Sequence, residues 1–333
     1  MSIETLEQTF NVSSPARLKL SNIRGSVEIL PGEAGVLTVT ATKHSENGDP
    51  GRTKIYLGQA ADGAVTVETR FQDAWWAFFS FSRPCQVDYQ VHIPPMCEID
   101  ASCVSSSLAV RSLEGKYKLS TVSGGISLED LTGEMKISSV SGEISGVKLA
   151  GALHLNTVSG EVRLVESSLT STDLTTVSGE IRLQTELTNG PYRFHSVSGH
   201  VWLSVPVDTR CSLDLHSVSG SINVNLPVTR QKIAGGHSSF EVQGGGVRIT
   251  ANSVSGSLFV ETIGNAADGS TQRTSTAGEY VWEAAPPQPP APPSAPEPPE
   301  PSDPKLDRKT ILDRIEDGEM SVEEGLKALE KMI

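Results

Sequence analysis

The residues of this 333-residue chain that could do chemistry are few and dispersed. His195 and His216 occupy equivalent places in neighbouring copies of a repeat, and two imidazoles begin a zinc site. No third ligand falls in register with them, so no metal is expected. Serines abound in the repeat, but none has a base and an orienting acid in register, which nucleophilic catalysis needs. A carbohydrate lyase would cluster aspartates around calcium with a basic residue beside them. Asp100, Asp130, Asp173, Asp208 and Asp214 are instead scattered, and no Gly-Gly-x-Gly-x-Asp calcium nonapeptide occurs. Cys85, Cys97, Cys103 and Cys211 form no C-x-x-C pair, so buried free thiols in a reducing compartment are expected. No catalytic, cofactor-binding or metal residue is expected, and the chain reads as a non-enzyme.

What positions these residues is a repeat. Val-Ser-Gly recurs at Val122, Val140, Val158, Val177, Val197, Val218 and Val254, after a degenerate copy at Val104-Ser105-Ser106. The steps run 18, 18, 18, 19, 20 and 21 residues, then 36, which fits two coils with a degenerate one near His237-Ser238-Ser239. Gly115, Gly124, Gly133, Gly142, Gly151 and Gly160 lie nine apart, so each coil is two similar half-turns. Ile126/Leu128, Val162/Leu164, Ile181/Leu183, Val201/Leu203 and Ile222/Val224 are i, i+2 pairs, which is strand alternation. Strands this short satisfy their backbone groups only by stacking about 4.8 Å apart. The fold class expected is all-β: a parallel β-solenoid of about 18–21 residues per coil, plus a short C-terminal helical hairpin.

This register carries further expectations. The valine column should stack down the core, so that Val158→Asp unfolds several coils. The glycine column (Gly124, Gly142, Gly160, Gly179, Gly199, Gly220, Gly256) should turn a corner with positive φ or close coil contact. Glu143, Glu161 and Glu180 should form one outward column, with Arg163 and Arg182 on the same face to pair with it diagonally. Extra residues fall in Val165–Asp173, Gln184–Gly190 and Ser204–Arg210, on the side opposite the Val-Ser-Gly edge, and this loop-bearing side, which can vary without disturbing the stack, is the expected contact edge.

Four regions follow: residues 1–100 as an N-terminal cap with early coils, 101–283 as the repeat solenoid, 284–304 as a linker and 305–333 as a two-helix module. Asn22–Val27 is a weak early copy of the repeat. Phe71, Trp75, Trp76, Phe78, Phe79 and Phe81 crowd one segment, either as a cap over the solenoid or as an apolar patch for a partner or membrane. Eleven of the nineteen residues from Pro286 to Pro304 are proline, which makes an extended spacer. Beyond it, Ile311, Leu312 and Ile315 form one helical stripe, Asp317-Gly318 ends that helix, and Ser321-x-x-Glu324 caps the next. Val322, Leu326, Leu329 and Ile333 form the second stripe. So short a module must dock on another protein or on its own copy.

The net charge of -13 argues against nucleic acid and against anionic lipid. The N-terminus shows no secretory signal and no stretch is long and apolar enough to span a bilayer, so a cytoplasmic protein is expected.

Leu18–Ile29, the step Val91-His92-Ile93-Pro94-Pro95 and the run of Thr-Val-Ser-Gly-Glu-[Ile/Val]-Arg-Leu units resemble the bacterial adhesin-like Val-Ser-Gly repeat domain of unknown function, over roughly residues 10–262. Residues 311–329 are similar to the SHOCT-like helical module of bacterial cell-envelope stress proteins, which often accompanies that domain; here the module comes last. The resemblance implies a β-solenoid with no catalytic residues to carry over, and a part in the envelope-stress response. The function expected is a non-enzymatic binding or scaffold protein. The alternatives are a surface adhesin binding glycans or cells, and a carbohydrate-active β-helix enzyme.

Overall fold

The computed structural model describes residues 3–46, 48–71, 83–234 and 236–263, and every regular element in them is a β-strand. The C-terminal hairpin and the proline-rich linker lie outside the described residues.

Four long strands form the middle of the stack: β7 (Met96–Thr121), β8 (Ile126–Ser139), β9 (Ile144–Thr157) and β10 (Val162–Thr176). They pair in parallel with the repeat as their register. Leu108 lies beside Ile126, Ile126 beside Ile144, and Ile144 beside Val162. Equivalent residues of successive coils therefore form columns. Ile126, Ile144, Val162 and Ile181 fill one inward column, and Leu119, Ile137, Leu155 and Leu174 another, all essentially buried. Ser112, Asp130, Lys148 and Glu166 turn the corner between half-coils in the left-handed region, with φ of 50–57°.

The N-terminal end is not a simple continuation. β2 (Ala16–Pro31) pairs in parallel with β7, with Arg24 beside Ser105 and Gly25 beside Ser106, so the weak copy at Asn22–Val27 does sit in register. On its other side β2 carries β5 (Val65–Phe71) and β6 (Gln86–Ile93). Outside these, β3 (Val36–His44) lies antiparallel to β6, β1 (Ile3–Asn11) to β3, and β4 (Thr53–Gln59) to β5. A buried polar network joins cap to stack. Asn22 Nδ2 donates to the Val87 carbonyl at 2.8 Å, Thr69 Oγ1 donates to Asn22 Oδ1 at 3.1 Å, and the Thr69 and Tyr89 hydroxyls meet at 2.7 Å. Antiparallel strands cover what would be an open parallel edge.

The C-terminal end uses the same device. β11 (Ile181–Thr185) and β12 (Tyr192–Ser196) continue the stack from β10, and β13 (Val201–Val205) follows β11. β14 (Cys211–Ser217) then skips a layer. β15 (Ile222–Asn225) follows it, and β16 (Val228–Ala234) and β17 (His237–Val242) form an antiparallel hairpin on the outer edge of β14. The chain then turns back. β18 (Val247–Ser253) inserts between β12 and β14, and β19 (Leu258–Thr262) between β13 and β15. Two sequence expectations are corrected here. The 36-residue step is one inserted coil plus a hairpin, and His237–Ser239 belongs to the antiparallel strand β17 between β14 and β16, not to a degenerate coil.

The valine expectation is corrected as well. Val104, Val122, Val140, Val158, Val177, Val197 and Val254 stack in register but stand 45–50% exposed, and Val218 is 70% exposed. The residue before each one points inward instead: Thr121, Ser139, Thr157, Thr176, Ser196, Ser217 and Ser253 are all buried. The hydroxyls of Thr121, Ser196, Ser217 and Ser253 accept from the amide of the repeat glycine three residues on, at 2.9–3.1 Å. That local bond braces the corner in these four coils, and the valine faces outward in the coils that lack it as well. The glycine column turns this corner without positive φ. It is required by close contact, because a Cβ at Gly142 or Gly160 would fall on the carbonyl oxygen of the glycine one coil below. Positive φ belongs to the other glycine column, at 147° for Gly115, 131° for Gly133 and 115° for Gly151.

Candidate functional site

The interaction residues singled out in the sequence lie outside the described residues: Trp75, Trp76, Phe78, Phe79 and Phe81, between β5 and β6 in the chain, and Ile311, Leu312, Ile315, Val322, Leu326 and Leu329 near the C-terminus. What the structure offers is the outer surface of the solenoid, which repeats one residue type per column.

Among the described residues a long apolar feature is the valine edge. Successive valines are held by a backbone ladder: the Val140 amide donates to the Thr121 carbonyl at 3.2 Å and the Ser141 amide to the Val122 carbonyl at 2.8 Å, and each coil repeats the pattern. A shallow groove of about 660 Å³ runs beside the column. Its other wall is an outward column that begins with Ser21, Ser102, Ser120 and Ser138. The extra residues do fall on the opposite side. β10 carries register shifts after Leu164 and Leu169, and the longer loops lie between β11 and β12 and between β13 and β14.

Several side chains that could do acid, base or nucleophilic work pair with one another on the outer surface. Asp88 Oδ1 accepts from the Ser26 amide and hydroxyl, both at 2.8 Å, and Asp88 Oδ2 meets His44 Nε2 at 2.8 Å. Serine, histidine and aspartate are thus together, but the serine hydroxyl is bound to the carboxylate rather than to the imidazole, so the histidine cannot take its proton. Burial raises the Asp88 pKa, but the bonds from Ser26, Gln86 and His44 outweigh it and hold the carboxyl below its usual range.

His195 and His216 are not in adjacent coils, which corrects the sequence reading. Asn252 of the inserted β18 lies between them in the ladder. His216 instead faces His237, with ring centroids 6.3 Å apart, and His237 Nε2 meets Asp214 Oδ1 at 3.1 Å. Among the described residues no group of three His, Cys, Asp or Glu side chains is placed to hold a metal. The four cysteines are free and buried, as their spacing predicts. Burial pushes the Cys97 thiol up to about 12 and those of Cys103 and Cys211 to about 11.

Glu143, Glu161 and Glu180 do stack, their carbonyls accepting in turn from Ile126, Ile144 and Val162 of the preceding coil. Arg182 Nε pairs with Glu180 of its own coil at 2.7 Å, not diagonally across coils. The arginine column then runs into an aromatic ladder that the sequence reading missed. Arg182 lies over Trp202 with its guanidinium 5.6 Å from the ring, and Trp202 stacks on Phe259 at 3.8 Å and 9°. The sequence signal was Trp202 and Phe259 at the polar position of a strand pair. Phe259 becomes Trp202's neighbour only through the insertion of β19 between β13 and β15. Both faces of the indole are occupied, so no ligand can stack on Trp202.

A family model described as "Toastrack DUF4097" matches residues 16–261. Several solved structures are similar over 78% of this chain, three of them as follows. A Clostridium sporogenes protein provisionally described as a cell adhesion protein shares 9% identity over 100% of its own chain, with a TM-score of 0.27. Two Parabacteroides proteins are covered over 96% of their chains. The one from P. distasonis, provisionally described as a lipid binding protein, has 11% identity and a TM-score of 0.40. The one from P. merdae, provisionally described as an adhesin, has 12% and 0.39. No curated protein matches.

Proposed function

Since the chain belongs to the Toastrack DUF4097 family, which matches its residues 16–261, we propose that it is a non-enzymatic binding or scaffold protein. The observation that carries this reading is the arrangement of the chemistry-bearing groups. They stand in outward columns, and several pair with their neighbours, as Ser26 and His44 both do with Asp88. Columns of packed side chains fill the interior, so the stack is a rigid body that presents surface.

In this proposal the solenoid is the display element and the apolar stripes at 311–329 dock on a protein partner, in an envelope-stress response on the cytoplasmic side of the membrane. The likeness of that tail to SHOCT-like modules supports the role. The test uses the full chain, with and without Leu326→Lys/Leu329→Lys, as bait in cross-linking and affinity capture, together with cell fractionation. The proposal expects a cytoplasmic protein whose captured partner is lost in the double variant. Recovery on the outer surface, or capture unaffected by the tail, would overturn it.

A further inference from the structure

The valine edge has the properties of a contact face, and we infer that it joins two copies of this chain, valine column against valine column. Eight valines in eight coils stand 45–70% exposed in one column, from Val104 to Val218. At about 4.8 Å per coil the line is about 34 Å long. A monomeric protein rarely leaves so continuous an apolar strip in water.

Three features select a second copy as the occupant. The first is charge. The chain carries -13, yet the valines and the columns on either side of them contain only hydroxyl, amide and imidazole groups, with His195 and His216 the titratable members. Two copies that repel elsewhere can approach along this band, and a basic partner would find nothing here to pair with. The second is extent. Eight coils of three outward residues place about 24 residues in the band, within the roughly 20–30 per side of a stable interface. The third is period. Identical side chains at one spacing interdigitate over their whole length only with a surface of the same spacing, as paired sheets do in a dry zipper. A second solenoid supplies that spacing, and a two-fold arrangement closes the assembly at two copies.

The face is tested on the full chain by sedimentation equilibrium over a wide concentration range, with wild type and Val158→Asp. Val158 is 47% exposed, so the variant keeps the wild-type circular dichroism and melting behaviour. Its dimer dissociation constant rises at least about tenfold, because each copy brings an unpaired charge into an apolar contact. In a second measurement, Val158→Cys forms a disulfide-linked dimer under mild oxidation. Val207→Cys, 67% exposed but off the column, does not; the native cysteines are buried and take no part. A wild-type chain that stays monomeric at every concentration overturns the inference. So does a dimer indifferent to Val158→Asp but abolished by Leu326→Lys/Leu329→Lys, which would place association in the tail. Binding of lipid vesicles by a monomeric wild type, lost in Val158→Asp, would overturn it in favour of a membrane.

Discussion

Val254 sits directly on Val197, although the coil of Val218 comes between them in the chain: the Ser255 amide donates to the Val197 carbonyl at 2.8 Å, and the Ser219 amide to the Val254 carbonyl at 2.9 Å. The last described coil is thus the wedge that holds two earlier coils together. Its core residue Ile249 is 1% exposed and lies between Tyr192 and Leu213. Ile249→Ala should cost about 3 kcal/mol. Amide exchange should show β12 and β14 losing protection together while β8 and β9 keep theirs. Loss confined to β14 would mean that the inserted coil does not couple its two neighbours.

The repeat glycines are predicted to be irreplaceable for a reason of contact. A Cβ at Gly142 would fall on the Gly124 carbonyl oxygen, and backbone has no rotamer by which to yield. Gly142→Ala should cost about 3 kcal/mol by separating two coils. At the adjacent Gly125 the nearest atom is 3.6 Å from an added Cβ, an ordinary contact, so Gly125→Ala should stay within about 0.5 kcal/mol. Urea midpoints of the two variants compare these directly; equal shifts would remove the carbonyl contact as the cause.

The buried hydroxyl column offers a comparison of opposite sign. Thr121 Oγ1 accepts from the Gly124 amide at 3.1 Å, whereas the hydroxyls of Ser139, Thr157 and Thr176 are buried without a partner. Thr121→Val leaves the glycine amide unsatisfied and should destabilise by about 1–2 kcal/mol. Thr157→Val removes a polar atom that gains nothing from burial, and should stabilise by about 1 kcal/mol. Thermal melts of the pair decide this, and a destabilised Thr157→Val would show that its hydroxyl is solvated after all.

The period, the parallel stacking and the half-coil symmetry were all legible in the spacing of Val-Ser-Gly, because backbone pairing copies that spacing into register. The direction of the valine was legible too, but only by parity. Met135 and Ile137 face inward, so Ser139 must follow them and Val140 must face out, against the expectation that an apolar residue is buried. For the same reason Val158→Asp should leave the coils folded, where a buried column would have lost several. The order of the last coils was not legible. Repeats with the same strand pattern offer nearly equivalent edges, and nothing local tells the coil of Val218 to leave a gap for the coil of Val254. The arginine–tryptophan–phenylalanine ladder was hidden with it, since Trp202 and Phe259 become neighbours only through the insertion.

Burial of the thiols makes the fold sensitive to alkali. The Cys97 thiol is pushed up to about 12 and those of Cys103 and Cys211 to about 11, and burial raises the Tyr89 phenol to about 12 against the lowering effect of its bond to Thr69. In each case the folded chain holds its proton more tightly than the unfolded chain. Below the ordinary thiol range, near pH 9, both states are protonated and stability is at its full value. Above it the unfolded chain deprotonates first, and stability falls by about 1.4 kcal/mol per pH unit for each thiol until the folded values are passed. Urea midpoints should therefore be flat up to about pH 8, then drop steeply between about pH 9 and pH 11. Cys97→Ala/Cys103→Ala/Cys211→Ala should start less stable but show a shallower drop. A wild-type midpoint unchanged across that interval would mean that these thiols are not shielded from water as the packing of the coils requires.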